Sequence, residues 1–143
     1  MISVFGSVNM DLTFQLSSLP SVGETTLTPG FTEAVGGKGA NQAIAAVRSG
    51  AQTKFTGCIG DDAFGVYVKE ALQAEGIDLD SLNTVVAKTA VATIWVDQQG
   101  DNMIAAASGA NAFVKRKNSK RLNSAATRLS SCRWKFRRSK PKR

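Results

Sequence analysis

The sequence predicts an α/β fold with an exposed β excursion, followed by an irregular basic tail. Three observations predict it. Short apolar and β-branched runs alternate with stretches of helical periodicity. Two runs flanking residues 97–101 read as a hairpin that stands apart from this alternation. The charge also divides: residues 1–113 hold all eleven acids and five bases, net −6, whereas 114–143 hold thirteen bases and no acid, net +13.

The elements follow in chain order. Residues 2–7, apolar and stopped by Gly6 and Asn9, read as a buried first strand. Residues 12–16 alternate apolar and polar, as a half-exposed strand does. Pro20-Ser21-Val22-Gly23 is a turn. Residues 25–35, broken by Pro29-Gly30, extend a small exposed sheet. Gly36-Gly37-Lys38-Gly39 opens a helix over 40–49, apolar at 40, 43, 44 and 47, with Gly50 just past its end. Residues 53–59 form a second core strand. Asp62 caps a helix over 63–75, where Phe64, Val68, Ala71 and Leu72 make one stripe and Gly76 the stop. Residues 89–96 form a strand rich in β-branched side chains, 97–101 the turn and 102–107 the return strand. The tail shows only a faint helical stripe of Leu122, Ala126 and Leu129.

Composition narrows the function. At 143 residues and 43% hydrophobic, the chain is one domain with enough apolar material for a core. It has no histidine, which excludes imidazole zinc sites, Ser-His and Cys-His nucleophile pairs and histidine pH switches. Cys58 and Cys132, 74 residues apart, make neither a CxxC motif nor a disulfide framework, so a reducing compartment is expected. No apolar run reaches the roughly 18–20 residues that span a bilayer. The start of the chain lacks the basic and apolar regions of a signal peptide. A cytoplasmic protein without membrane contact is the expectation.

Two features carry candidate chemistry. The glycines of Gly36-Gly37-Lys38-Gly39 let backbone approach a ligand, and N–H groups at a helix start point at an anion or hydroxyl. The same residues also make a plain tight turn. The loop is not a Walker A motif, because Gly39 stands where Ser or Thr is required and Thr32 where the first Gly is. It is not GxGxxG either, because Gln42 occupies the last Gly position. Asn9 and Asp11 follow the first strand, on the side where open α/β sheets take ligands. They can bind sugar hydroxyls or merely form the turn after a strand.

Taken together, four segments are far more specific. Gly6-Ser7-Val8-Asn9-Met10-Asp11, Pro20-Ser21-Val22-Gly23-Glu24-Thr25, Gly36-Gly37-Lys38-Gly39-Ala40-Asn41-Gln42-Ala43 and Gly60-Asp61-Asp62-Ala63-Phe64-Gly65 resemble the N-terminal part of the ribokinase, or PfkB-type, family of sugar kinases. Ser108-Gly109-Ala110-Asn111 continues the likeness, which covers residues 1–113. It implies the N-terminal part of a doubly wound sheet with a small β-sheet lid that can also clasp a second copy into a homodimer. It implies ATP-dependent phosphorylation of a primary hydroxyl on ribose or a similar sugar. By matched motif, Asn9 and Asp11 would bind sugar hydroxyls, and Gly36, Gly37, Lys38 and Asn41 would line the same site. Ala92 and Ile94, on a lid strand, would pack their apolar side chains against the sugar. Gly60, Asp61, Asp62 and Gly65 would be structural, forming a turn, a cap and a helix start.

The resemblance stops short of the chemistry. Phosphoryl transfer needs a donor site, Mg²⁺, a base for the attacking hydroxyl and donors for the transferred oxygens. In the family these lie in the C-terminal half, where a Gly-Ala-Gly-Asp-type motif supplies the catalytic Asp. Gly109-Ala110-Asn111 is not that motif, and no Asp or Glu follows Asp101. The expectation is therefore an incomplete domain over 1–113 with no catalytic residue and no ATP or Mg²⁺ site, inactive by itself. Residues 114–143 would be a disordered or out-of-frame basic tail. Alternatively, the chain is a noncatalytic sugar-binding or dimerisation module, or binds nucleic acid through its tail. Lys115-Arg116-Lys117 and Arg133-Trp134-Lys135-Phe136-Arg137-Arg138 offer phosphate contacts and two stacking rings. A tail so charged binds polyanions without specificity in any case.

Overall fold

The computed structural model describes residues 1–114, so the basic tail, its faint stripe and Cys132 lie outside the described residues. In chain order the elements are β1 (Ile2–Phe5), β2 (Asn9–Gln15), β3 (Phe31–Gly36), α1 (Lys38–Arg48), β4 (Thr53–Gly60), α2 (Ala63–Ala74), β5 (Asp78–Val85), β6 (Val91–Val96) and β7 (Asn102–Ala107). A 3-10 turn over Gly109–Phe113 closes the described chain.

Three strands form a parallel sheet in the order β1-β4-β5, with Val4 opposite Phe55. The order advances in one direction, and right-handed crossovers then place both helices on the same face. The core agrees: Val4, Phe55 and Ile59 pack with Ala40 and Ala43 of α1 and with Val68 and Leu72 of α2. Alternation along the strands turns Ser3, Thr56 and Cys58 to the other face. All three are buried, and the Thr56 hydroxyl has no hydrogen-bond partner among the described residues. Burial pushes the Cys58 thiol above its ordinary value, as expected of an unreactive core cysteine.

The other four strands form a sheet in the order β3-β2-β6-β7. It joins two antiparallel pairs, β2–β3 and β6–β7, through a parallel β2–β6 ladder that sets Leu12 opposite Thr93. Its inner end is tied to the core by buried Met10, with Leu12, Val35 and Val91 packed around the same cluster. Farther out on that face, the Phe14 and Phe31 rings lie 5.3 Å apart. This sheet is the expected β excursion.

Beyond two-residue shifts at the ends of β1, α1 and β6, the observed elements depart from the sequence reading in three places. β2 begins at Asn9 rather than at residue 12, because its first residues pair with Gly36 and Val91. The stretch 25–35 is strand only from Phe31 on, after Pro29-Gly30. β5 was not foreseen. Its Asp78, Asp80 and Asn83 are poor strand formers, but β4 supplies a ladder, and Lys54 reaches Asp78 at 3.2 Å and Asp80 at 3.8 Å. No helix among the described residues is long and apolar enough to cross a membrane.

Candidate functional site

The site is built around the link Gly6-Ser7-Val8 between β1 and β2. Val8 is fully buried. The Ser7 carbonyl accepts hydrogen bonds from the Gly39 and Ala40 N–H groups at 3.1 Å each, which docks the start of α1 on the link. Backbones cross so closely there that a Cβ on Gly39 would lie 2.7 Å from Gly6 Cα. Gly37 caps the helix at φ +93°, a conformation that favours glycine, and a Cβ on it would lie 2.7 Å from Asn9 Oδ1. The glycines are thus explained by close approach.

Across the ladder Asn9 faces Gly36, and Asp11 faces Ala34 on one side and Ala92 on the other. A Cβ on Gly36 would collide with the Asp11 carboxylate, so glycine there leaves room for that carboxylate. The Asn9 side-chain amide donates to Asp11 Oδ1. Burial raises the Asp11 carboxyl above its ordinary value of 3.8, more than the bond from Asn9 lowers it. Thr13 and Ile94 sit opposite each other two residues farther out on the same face. Asn9, Asp11, Gly36, Gly37 and Ala92 are therefore brought together, with Ile94 two residues farther along β6 on the same face. Lys38 and Asn41 lie exposed on the first turn of α1, three apart and so on one side of the helix. Among the described residues no hydrogen bond or ion pair joins them to Asn9 or Asp11.

The sequence left open whether the helix-start N–H groups meet a ligand or make a tight turn; those of Gly39 and Ala40 donate to the Ser7 carbonyl. A cleft of about 370 Å³ lies beside the carboxyl end of β1, lined by Phe5, Ser7, Asn9, Ala107 and Asn111 among others. It shares only Asn9 with the expected sugar residues.

The Asp62 region is structural. Its carboxylate accepts from the Gly65 N–H at 2.9 Å, the Thr89 N–H at 2.9 Å and the Thr89 hydroxyl at 2.6 Å, pinning α2 to the strand linker before β6. The sequence reading missed Asn111. Its side chain donates to the Val8 carbonyl at 2.9 Å and accepts from the Val8 N–H at 3.1 Å. No local pattern reveals a partner 103 residues away.

Residues 1–131 match the family described as pfkB family carbohydrate kinase, a span that runs past the change of composition at 113. The chain is 43% identical over 114 residues to the ribokinase of Haemophilus influenzae, covering 79% of this chain and 37% of that protein. It is 44% identical over 126 residues to the ribokinase of Schizosaccharomyces pombe, covering 80% and 40% respectively. It is also similar to the solved ribokinase from Cryptococcus neoformans in complex with ADP, with a TM-score of 0.70 and 43% identity over 76% of this chain and 35% of that one. The Arabidopsis thaliana ribokinase complexed with ribose and ATP superposes with a TM-score of 0.69 and 35% identity over 77% of this chain and 36% of that one. The chain spans about two fifths of the length of the curated relatives it matches. By the extent of the family match, by these similarities and by its α/β core with a four-stranded lid, the chain belongs to the pfkB family of carbohydrate kinases.

Proposed function

We propose that this chain carries the sugar-binding part of a kinase that transfers the γ-phosphate of ATP to a primary hydroxyl of ribose or a similar sugar. The observation that carries this reading is the Asn9–Asp11 pair at the inner end of the lid, with Gly36 leaving room for the carboxylate and Ala92 directly across the ladder. A carboxylate accepts two hydroxyl donors, and a charged acceptor makes the stronger bonds. Asn9 holds Asp11 in one orientation. Lys38 and Asn41 supply donors from the helix start, and Ala92 and Ile94 cover an apolar edge of the ring. The binding of ribose and ATP by the Arabidopsis thaliana relative supports the same substrates here.

ATP and Mg²⁺ are the cofactors of this reading. Among the described residues no group of three or more His, Cys, Asp or Glu side chains is arranged for a metal ion, and no acid follows Asp101 in the sequence. We propose that this chain binds ribose and does not transfer the phosphoryl group. Calorimetry with ribose, alongside a phosphorylation assay with ATP and Mg²⁺, tests it. Weak, saturable ribose heats with no ribose 5-phosphate formed are expected. Turnover would overturn the inactive assignment, and absence of ribose binding would overturn the site.

The lid is also proposed as a dimer clasp, on the exposure of Phe31, Met103 and Ile104 on its two edge strands. The division at residue 113 supports reading 1–113 as the kinase-like unit and 114–143 as an out-of-frame tail. The family match through residue 131 weighs against that boundary. Reading the encoding DNA past codon 113 in all three frames decides: an acidic α/β continuation with a Gly-Ala-Gly-Asp motif in another frame supports the tail assignment, and its absence overturns it.

A further inference from the structure

We propose that Asn111 is a positioning residue for the sugar site: through the Val8 peptide it holds the Gly6-Ser7-Val8 link on which both halves of the site depend. This rests on the sugar-binding reading above. Asn111 treats Val8 as a neighbouring strand would, giving one donor and one acceptor to the same residue's backbone at 2.9 and 3.1 Å. The residue before Val8, Ser7, holds the start of α1 through two hydrogen bonds of 3.1 Å. The residue after it, Asn9, orients Asp11 and lies against Gly37. One side chain therefore braces the peptide that lies between the hydroxyl-binding pair on β2 and the Ser7 anchor of the glycine loop.

Asn111 is itself firmly placed. The Ala110 N–H donates to the Lys88 carbonyl at 2.8 Å, and Ala110 is fully buried. Gly109, at φ +43°, lies so close to the Lys88 carbonyl and the Ala90 nitrogen that any side chain would meet them. The Ala90 carbonyl in turn accepts from the Met10 N–H at 2.8 Å, at the start of β2. The 3-10 turn thus joins the β5–β6 linker to the β1–β2 link, and Asn111 is the side chain that makes the second connection. Within hydrogen-bonding range of a peptide, an amide supplies both roles at once, whereas an ionised carboxylate only accepts.

The test uses the full chain and two variants, Asn111→Ala and Asn111→Asp, with ribose calorimetry and amide hydrogen exchange. Asn111→Ala is expected to weaken ribose binding about tenfold. It should also raise exchange at Gly39 and Ala40, while Phe55 and Ile59 in β4 stay protected. Asn111→Asp should behave likewise near neutral pH, where the carboxylate opposes the Val8 carbonyl. At about pH 4.5 a growing share of the new carboxyl carries a proton and can donate. Binding and Gly39 protection should then recover relative to Asn111→Ala at the same pH, a rescue that a packing role would not produce. Unchanged ribose affinity and unchanged Gly39 and Ala40 exchange would overturn the proposal. So would loss of protection throughout both variants, which would make Asn111 a requirement of folding. If the native chain binds no ribose, the sugar-site reading fails, and exchange alone decides whether Asn111 holds the link.

Discussion

Asp62 and Asp11 illustrate how environment assigns a role to a residue type. Asp62 loses solvation on folding, which raises its pKa, but the Thr89 hydroxyl, the Thr89 and Gly65 N–H groups and the Lys88 charge outweigh that and hold it below 3.8. Its stabilising contribution is present above the ordinary carboxylate pKa and is lost as pH falls through the lowered value. Asp62→Ala is expected to cost about 1–2 kcal/mol through the lost helix cap, read by urea denaturation. It should also remove part of the acid dependence of stability. Asp11 runs the opposite way. Burial raises its pKa, so the folded chain binds the proton more tightly than the unfolded chain does, and stability falls as pH rises through that value. Asp11→Asn should therefore be more stable than the native chain near neutral pH, with the gain vanishing below pH 3.8, while ribose binding is lost. A variant less stable at neutral pH would refute this account of Asp11. Stability given up at a charged, partly buried group is the pattern of a binding site.

At the scale of elements, the contact between α1 and the β1–β2 link decides the site's shape. Gly6 and Gly39 cross with no space for a side chain on either. Gly39→Ala should push α1 away from Ser7 and cost about 1–3 kcal/mol by overpacking. Ribose affinity should fall more than in an alanine substitution at exposed Gln52, and calorimetry on both variants checks it. Gly30, by contrast, stands in open space, where a Cβ would meet nothing within 4 Å, and Gly30→Ala should leave ribose affinity unchanged.

At the scale of the molecule, both helices cover one face of a three-stranded parallel sheet, and β1 and β5 are its edges. Parallel sheets are normally covered on both faces. The Thr56 hydroxyl on the second face, buried and without a partner among the described residues, adds a desolvation cost of about 1–3 kcal/mol. We expect a marginally stable monomer whose melt, followed by circular dichroism, rises in midpoint with protein concentration as the lid edges associate. A sharp, concentration-independent transition well above room temperature would contradict this.

Much of this was readable in the sequence because it depends on neighbours in the chain. The Asp62 cap, the two helix stripes, the turn at Asp97 and the return strand over Asn102–Ala107 follow from local periodicity and turn chemistry, and all are present. The motif pattern also pointed to Asn9, Asp11 and the glycine loop as one site. What the sequence could not settle is what depends on residues far apart. β5 owes its strand to β4 and to Lys54, not to its own polar residues. The Gly39 and Ala40 N–H groups turn to Ser7 because the chain crosses itself there. Asn111 acquires its Val8 partner only when folding brings the two together. Local preferences are set by bonds along the chain, whereas hydrogen-bond partners across it are chosen by packing, and only the tertiary structure contains that choice.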